Sequence, residues 1–310
     1  MVELDVMVLG QVARDLVLLV DEVPAAGGTA PVRRRRELLG GKGANQAVGL
    51  AQLGAAVGLL GVVGDDEVGE RLLALARADG VDVEWVCRRP GTPTGLIVDV
   101  VDADADWRYL EDLPEATLLT PDDVAGAAPA LRAARAVLIQ LQQPARTALA
   151  AARTAREAGR LVVLDGAPAD AADADALFAL ADVLRADARE VELITGVAPE
   201  DAGAGLAAGR ALLRRGLSLV AVEVAGRGNA FVWPEGELFL PLSETPTVDD
   251  TGAGDAFVAA LTLGVLRGEP RERAARYAVA AAGATVGHPG GRPALTPGAI
   301  RAQLDRIPAG

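Results

Sequence analysis

Sulfur and imidazole are nearly absent from this sequence, which holds one cysteine, Cys87, and one histidine, His288, in 310 residues. A lone cysteine excludes an intramolecular disulfide and any multi-cysteine zinc or iron–sulfur site, and a lone histidine excludes a histidine-rich metal cage. A Ser-His-Asp triad would have to use His288. Chemistry in such a chain falls to carboxylates, lysine, backbone amides and a metal carried in by a ligand. Aromatic residues are scarce as well, at 3%, whereas hydrophobic residues reach 51%. The core must then be built from Val, Leu, Ile and Ala, the mixture that suits parallel sheets covered by helices.

Positive charge is in deficit: 30 Lys and Arg face 43 Asp and Glu, for a net charge of −13. That balance disfavours nonspecific binding to nucleic acid or anionic membrane, and an anionic ligand needs a local positive site. Long apolar runs are missing too. The longest, 47–64, contains Gln52 and five glycines and divides at Gly54 into a helical half and a β-like half, so it does not read as a membrane span. The first ten residues carry Glu3 and Asp5 without a basic start, unlike a signal peptide. A cytoplasmic protein is expected, with no nucleic-acid or membrane partner.

What is present is a rhythm of alternating elements. Strands are expected at 6–9, 16–20 and 32–38, a helix at 43–53, one buried strand at 57–63 and a helix at 67–78 opened by Asp65 or Asp66. Segments 95–101 and 107–110 flank an acidic turn and read as a hairpin. From Pro121 onward, strands at 137–140, 161–165, 183–185 and 219–224 alternate with helices centred on Leu149, Leu177, Leu193 and Leu212, the signature of right-handed βαβ crossovers. A hairpin at 231–240 and helices at 253–267, 271–286 and 297–306 close the chain. The expected fold is α/β with a mainly parallel sheet, one domain spanning 1–310, and a small β-sheet lid inserted as two excursions at about 12–39 and 95–112.

Two glycine-rich segments carry the chemical signal. Residues 40–46, GGKGANQ, precede the first helix; glycines admit a ligand close to backbone, and Lys42 and Asn45 can project to one side as donors to hydroxyls. Taken alone, the segment equally fits a strand-to-helix turn with an exposed lysine. It is no Walker A loop, because Gly43 rather than Ser or Thr follows Lys42. Residues 249–257, DDTGAGDAF, run into an apolar helix, and small residues at a helix start expose N–H groups that can cradle a phosphate. Asp255 in the first turn should be held ionised by the helix field, ready to accept a proton from a hydroxyl during phosphoryl transfer. The competing reading is that Asp255 caps the helix, although Asp250 and Thr251 already offer capping oxygens.

Segments 40–54 and 250–257, in this order and at opposite ends of the chain, resemble the two signatures of the PfkB-type carbohydrate kinases, the first being most similar to the ribokinase branch. The resemblance extends over nearly the whole chain. It implies a three-layer α/β/α core with a β lid over a sugar, and transfer of the γ-phosphoryl group of ATP, accompanied by Mg²⁺, to a sugar hydroxyl. By resemblance, Asp255 is the base, and the backbone of Gly252, Ala253 and Gly254 is the anion hole. Asp15, Gly41, Lys42, Asn45 and Gln142 match sugar-binding positions. Asp187, Glu190, Glu223, Gly228 and His288 match nucleotide-side positions, with Glu190 acting indirectly on Mg²⁺. Asp249, with carbonyls from 285–294, matches a monovalent-cation site that takes potassium, and a homodimer through the lid is implied.

The sequence departs from the ribokinase pattern at several of these positions. Ala13 replaces an Asn and Gln142 a Glu on the sugar side; Asp187 replaces an Asn, and Glu223 and Ala225 replace a Thr and a Gly on the nucleotide side. A carboxylate beside phosphates is unfavourable unless bridged by metal or turned away, which makes Glu223 the residue most at odds with a kinase. These differences leave two alternatives to a sugar kinase: a nucleoside kinase of the same family, and a non-catalytic sugar-binding regulator.

Overall fold

A computed structural model describes residues 3–104, 106–168, 171–242, 251–287 and 295–307. Among them, nine strands form one sheet in the order Gly236–Pro241, Gly228–Trp233, Leu219–Val224, Val183–Ala186, Leu161–Asp165, Ala136–Gln140, Val6–Leu9, Val57–Leu60 and Val81–Asp82. All neighbours run parallel except Gly228–Trp233, which is antiparallel both to Leu219–Val224 and to Gly236–Pro241. The apolar runs explain this: a strand buried on both faces has no polar side to alternate. Val6 and Val8 pack into one helical layer and Met7 and Leu9 into the other, all fully buried. Helices Lys42–Gln52, Ala253–Leu266 and Arg271–Thr285 cover the first face, and Ala145–Glu157 and Ala202–Leu213 the second. No helix among the described residues is long and apolar enough to cross a membrane.

A four-stranded sheet stands apart, in the order Val32–Gly40, Ala13–Val20, Leu96–Val101, Trp107–Asp112. Its strands come from the two expected excursions. The outer pairs are antiparallel and the central pair is parallel. Residues 33–35 of its edge are exposed arginines, with Arg33 paired to Asp21 and Arg35 to Glu37.

One expectation fails in detail. The apolar run 57–63 is not one strand but two, Val57–Leu60 in the main sheet and Val62–Gly64 paired to Cys87–Arg89 in a separate ribbon. Gly61 between them passes so close to Gly10 that a Cβ there would sit 2.9 Å from the Gly10 carbonyl oxygen and 2.6 Å from Val12 Cγ2. The chain therefore bends at Gly61 and changes sheet, which an unbroken apolar pattern does not reveal. Asp66, of the two proposed caps, is the one used: its side chain accepts from Gly69 N–H at 2.7 Å.

Candidate active site

Parallel sheets leave their ligand crevice at the carboxyl ends of the strands, where helices begin. Two helix starts meet there. The helix Lys42–Gln52 opens at Gly41, whose φ of +85° suits glycine and whose Cβ, if present, would lie 2.7 Å from the Gln11 carbonyl oxygen. Gly43 presses equally hard on Gly10, with a Cβ position 2.6 Å from its Cα. The glycines thus seat the helix on the end of strand Val6–Leu9 and fix where Lys42, Asn45 and Gln46 point.

The second helix, Ala253–Leu266, starts from Gly252 in the left-handed region at φ 72°, with no side chain capping it. Its first-turn N–H groups receive no side-chain cap, so Asp255 is not the cap. Nor is Thr251, whose hydroxyl shares a 2.7 Å hydrogen bond with that of Tyr109 on the smaller sheet. Asp255 is instead a buried acceptor: Asn45 Nδ2 donates to its Oδ2 at 3.1 Å and Gln46 Nε2 to its Oδ1 at 3.1 Å. Gln46 Nε2 also donates to Asp165 Oδ2 at 2.8 Å, so one amide links two buried carboxylates.

Electrostatics at Asp255 reverse the expectation that the helix field holds it fully ionised. Burial and the charge of Asp165 push its pKa up to about 6, outweighing Lys42 and the bonds from Asn45 and Gln46. Burial would lower the pKa of the Lys42 ammonium, but Asp165, Glu190 and Asp255 outweigh it and hold that pKa above its ordinary value. On the smaller sheet, Asp15 is pushed up to about 7 by burial, Asp255 and Asp99. A Cβ on Gly40 would occupy the place of the Asp15 carboxylate, which packs directly on that backbone, and no donor among the described residues reaches Asp15 Oδ1.

A cleft of about 490 Å³ opens over these groups, lined by Lys42, Arg185, Asp187, Glu223 and the turn Gly252–Asp255, with apolar walls from Phe257 and Val279. Three adjacent strands supply its floor. Asp165 and Arg185 are register partners, and Glu223 lies two residues beyond Ala221, the register partner of Arg185, so the three side chains share one face. Arg185 donates to Asp165 at 3.3 Å and to Glu223 at 3.2 Å.

The comparisons fit this architecture. Residues 3–297 match the model of the pfkB family carbohydrate kinases. The chain belongs to that family. It is 34% identical over 304 residues to an ATP-dependent ribose-1-phosphate kinase of Halopiger xanaduensis, covering 96% of this chain and 97% of that one. It is 29% identical to a bifunctional ribokinase/ribose-5-phosphate isomerase A of Fructilactobacillus sanfranciscensis, 83% of this chain matching 47% of that protein. The solved Arabidopsis thaliana ribokinase complexed with ribose and ATP superposes with a TM-score of 0.81 at 25% identity, over 97% of this chain and 98% of that one. The chain is thus a carbohydrate kinase with the ribokinase-like fold.

Within this kinase the residues singled out from sequence divide. Asp255, Gly252, Ala253, Gly254, Lys42 and Asn45 gather at the cleft, with Gly41 at the helix start and Asp15 coupled electrostatically to Asp255. Asp187 lines the cleft as a helix cap: its Oδ1 accepts from Glu190 N–H at 2.8 Å, while Glu190 Oε2 accepts from Asp187 N–H at 2.7 Å. Replacing Asn by Asp preserves that cap, since either side chain accepts the same bond. Glu190 Oε1 sits 3.8 Å from Lys42 Nζ; burial and Asp165 raise the Glu190 pKa.

Two positions fall elsewhere. Gly228 begins a strand with its backbone against Leu240 and Pro241, and Gly226, in the left-handed turn before it, lines the cleft in its place. Gln142 is exposed on the turn after strand Ala136–Gln140. Glu223 does line the cleft, but as the partner of Arg185 rather than as an isolated negative charge. Asp249 and His288 lie outside the described residues. Gln46, Asp165 and Arg185 were not singled out beforehand. The available signal was a charge in or at the end of an otherwise apolar strand, in LVVLD and VLRA, which a fully buried strand does not carry without cause.

Proposed function

We propose that the protein transfers the γ-phosphoryl group of ATP to a hydroxyl of a small pentose-like sugar, with Asp255 as the base. The observation that carries this reading is the place of Asp255: buried, hydrogen-bonded by Asn45 and Gln46, and in the first turn of an uncapped helix whose N–H groups face the cleft. Asp255 takes the proton of the attacking hydroxyl, and that oxygen bonds to the γ-phosphorus. The bond from phosphorus to the β-bridging oxygen then breaks and ADP leaves. The N–H groups of 252–254 stabilise charge on the transferred group, and positioning supplies most of the acceleration.

Mg²⁺ bound to the nucleotide neutralises phosphate charge. Among the described residues no three His, Cys, Asp or Glu side chains gather as a cage. Oxygen-only, sparse ligation suits an ion that keeps its waters and arrives on phosphates, with Glu190 the carboxylate proposed to act on it through water. Asp249 is proposed to hold potassium, tested by comparing rates in potassium, sodium and choline chloride.

On the sugar side, Asp15, Lys42, Asn45 and the backbone of Gly41 are the proposed hydroxyl partners. The smaller sheet is the proposed lid over them, in one kinase domain spanning the chain. Exposed Val32, Trp107 and Leu110 on that sheet support a homodimer through it, tested by light scattering of the eluted protein. A need for ATP places the protein in the cytoplasm. The deciding experiment is an ADP-release assay over ribose, 2-deoxyribose, ribose 1-phosphate, fructose and nucleosides. The reading predicts a pentose or pentose phosphate as the best substrate. Turnover only of nucleosides would replace it with the nucleoside reading, and sugar binding without any turnover would replace it with the regulator.

A further inference from the structure

We propose that Arg185 is the phosphate-binding cation of this cleft, and that Glu223 is the counter-ion it gives up when the terminal phosphate of the nucleotide enters. The inference rests on the kinase reading above and assigns a residue that reading does not use.

The charge inventory creates the need. Among the described residues, only Lys42 and Arg185 bring positive side chains to the cleft lining, against Asp187, Glu223 and Asp255, with Asp165 and Glu190 in contact behind them. A polyanion entering such a site needs a cation where its charge arrives. Arg185 is at that place: a Cβ built on Gly254 would lie 2.8 Å from Nη2 and 3.0 Å from Nη1, so the guanidinium lies flat against the turn that opens helix Ala253–Leu266. Its Cζ also lies over the Phe257 ring of the same helix, 6.0 Å from the centroid.

Arg185 also has donors to spare. A guanidinium carries five N–H donors. Among the described residues it makes two hydrogen bonds, at 3.3 and 3.2 Å, both longer than the usual ~2.7–2.9 Å of a charge-assisted bond. Glu190 Oε2 is farther still, at 4.0 Å. The two partners differ in exposure: the Asp165 side chain is 2% exposed and that of Glu223 37%. Nη1 is therefore anchored inward, whereas the Glu223 carboxylate on Nη2 stands partly in water and can turn outward once a phosphate oxygen takes its place on the buried guanidinium. Exchanging Glu223 for a phosphate oxygen leaves the Asp165 anchor intact. The same geometry accounts for a glutamate beside a phosphate cleft, because with Arg185 present it does not face the phosphates unopposed.

A double-mutant cycle tests this by calorimetric binding of Mg-AMP-PNP and of AMP to wild type, Arg185→Ala, Glu223→Thr and the double variant. Arg185→Ala should weaken AMP-PNP about tenfold or more and AMP by less than about twofold, because AMP lacks the β- and γ-phosphates. Glu223→Thr should bind AMP-PNP as tightly as wild type or tighter. The double variant should bind it several-fold tighter than Arg185→Ala, since the unopposed carboxylate is gone. Arg185→Lys, which keeps a cation should Arg185→Ala fail to fold, should retain part of the affinity. Equal losses of AMP and AMP-PNP, an Arg185→Ala protein binding AMP-PNP within twofold of wild type, or a double variant no better than Arg185→Ala would each overturn the proposal. Those results leave the kinase reading standing; a wild type that binds no AMP-PNP would remove both.

Discussion

The side-chain amide of Gln46 stands 3.1 Å from the carboxylate of Asp255 although 209 residues separate them, and the same nitrogen reaches Asp165 at 2.8 Å. One neutral side chain thus links two buried carboxylates whose charges would otherwise meet with only Lys42 and Arg185 to offset them. Replacing Gln46 by Ala should raise the pKa of Asp255 further and leave carboxylate oxygens unsatisfied, at a cost of about 1–3 kcal/mol. Thermal unfolding and the pH–rate profile check the two halves of that expectation separately.

Asp255→Asn should lower kcat by about 10²–10⁴-fold while Mg-AMP-PNP binding stays within about twofold of wild type, because general-base catalysis is lost while the groups proposed to hold the phosphates, the backbone of 252–254 and Arg185, remain. A coupled ADP-release assay with calorimetry decides it. A variant keeping a large share of kcat would remove Asp255 from its role.

The acid limb of kcat/KM should have its midpoint near the Asp255 value of about 6. The base works ionised, so activity falls about tenfold per pH unit below that point and levels off above it. Asp165 is the main charge raising this pKa, so Asp165→Asn should move the midpoint to lower pH. A midpoint that stays put, or rises, contradicts the assignment.

Asp15 offers a test on stability. Its folded value of about 7 exceeds the ordinary 3.8, so between those values the folded chain binds more protons than the unfolded one. Stability from this group is present at low pH and is lost as pH rises towards 7. Asp15→Asn should therefore raise Tm at pH 8, by about 2–4 °C per kcal/mol relieved, and leave it little changed at pH 4. The same variant should raise the sugar KM.

Gly41→Ala combines a left-handed φ of +85° with a Cβ 2.7 Å from the Gln11 carbonyl oxygen. With ψ at 137° the backbone lies outside the left-handed helical well, a strain that costs a non-glycine residue about 1–3 kcal/mol, and the contact adds to it. Calorimetry should show a lower Tm, and because the helix carrying Lys42 and Asn45 shifts, the sugar KM should rise more than the nucleotide KM.

Which parts of this site were legible in the sequence follows from how each is built. The starts of helices Lys42–Gln52 and Ala253–Leu266 are local constructions: the close approaches at Gly41 and Gly43 and the left-handed turn at Gly252 demand glycine, and the demand leaves its mark residue by residue. The alternation after Pro121 is equally plain, because each crossover is written as an apolar run followed by a helical one. Asp165, Arg185 and Glu223 meet through the register of three parallel strands, whose partners lie 20 and 38 residues apart with helices between. In the linear sequence Glu223 therefore stands as an isolated charge, and only the register brings Arg185 beside it. The break at Gly61 escaped for a related reason, since buried strands of two different sheets share one apolar signature.

The hydroxyl pair of Tyr109 and Thr251 joins the edge of the smaller sheet to the residue just before the uncapped helix start. A neutral bond of this kind is worth about 0.5–1.5 kcal/mol net, which by itself favours the joined state by a ratio of only about two to thirteen. Such a latch closes without trapping. For the lid proposed above, a bond this weak leaves closure to be driven by contacts with the bound sugar and nucleotide.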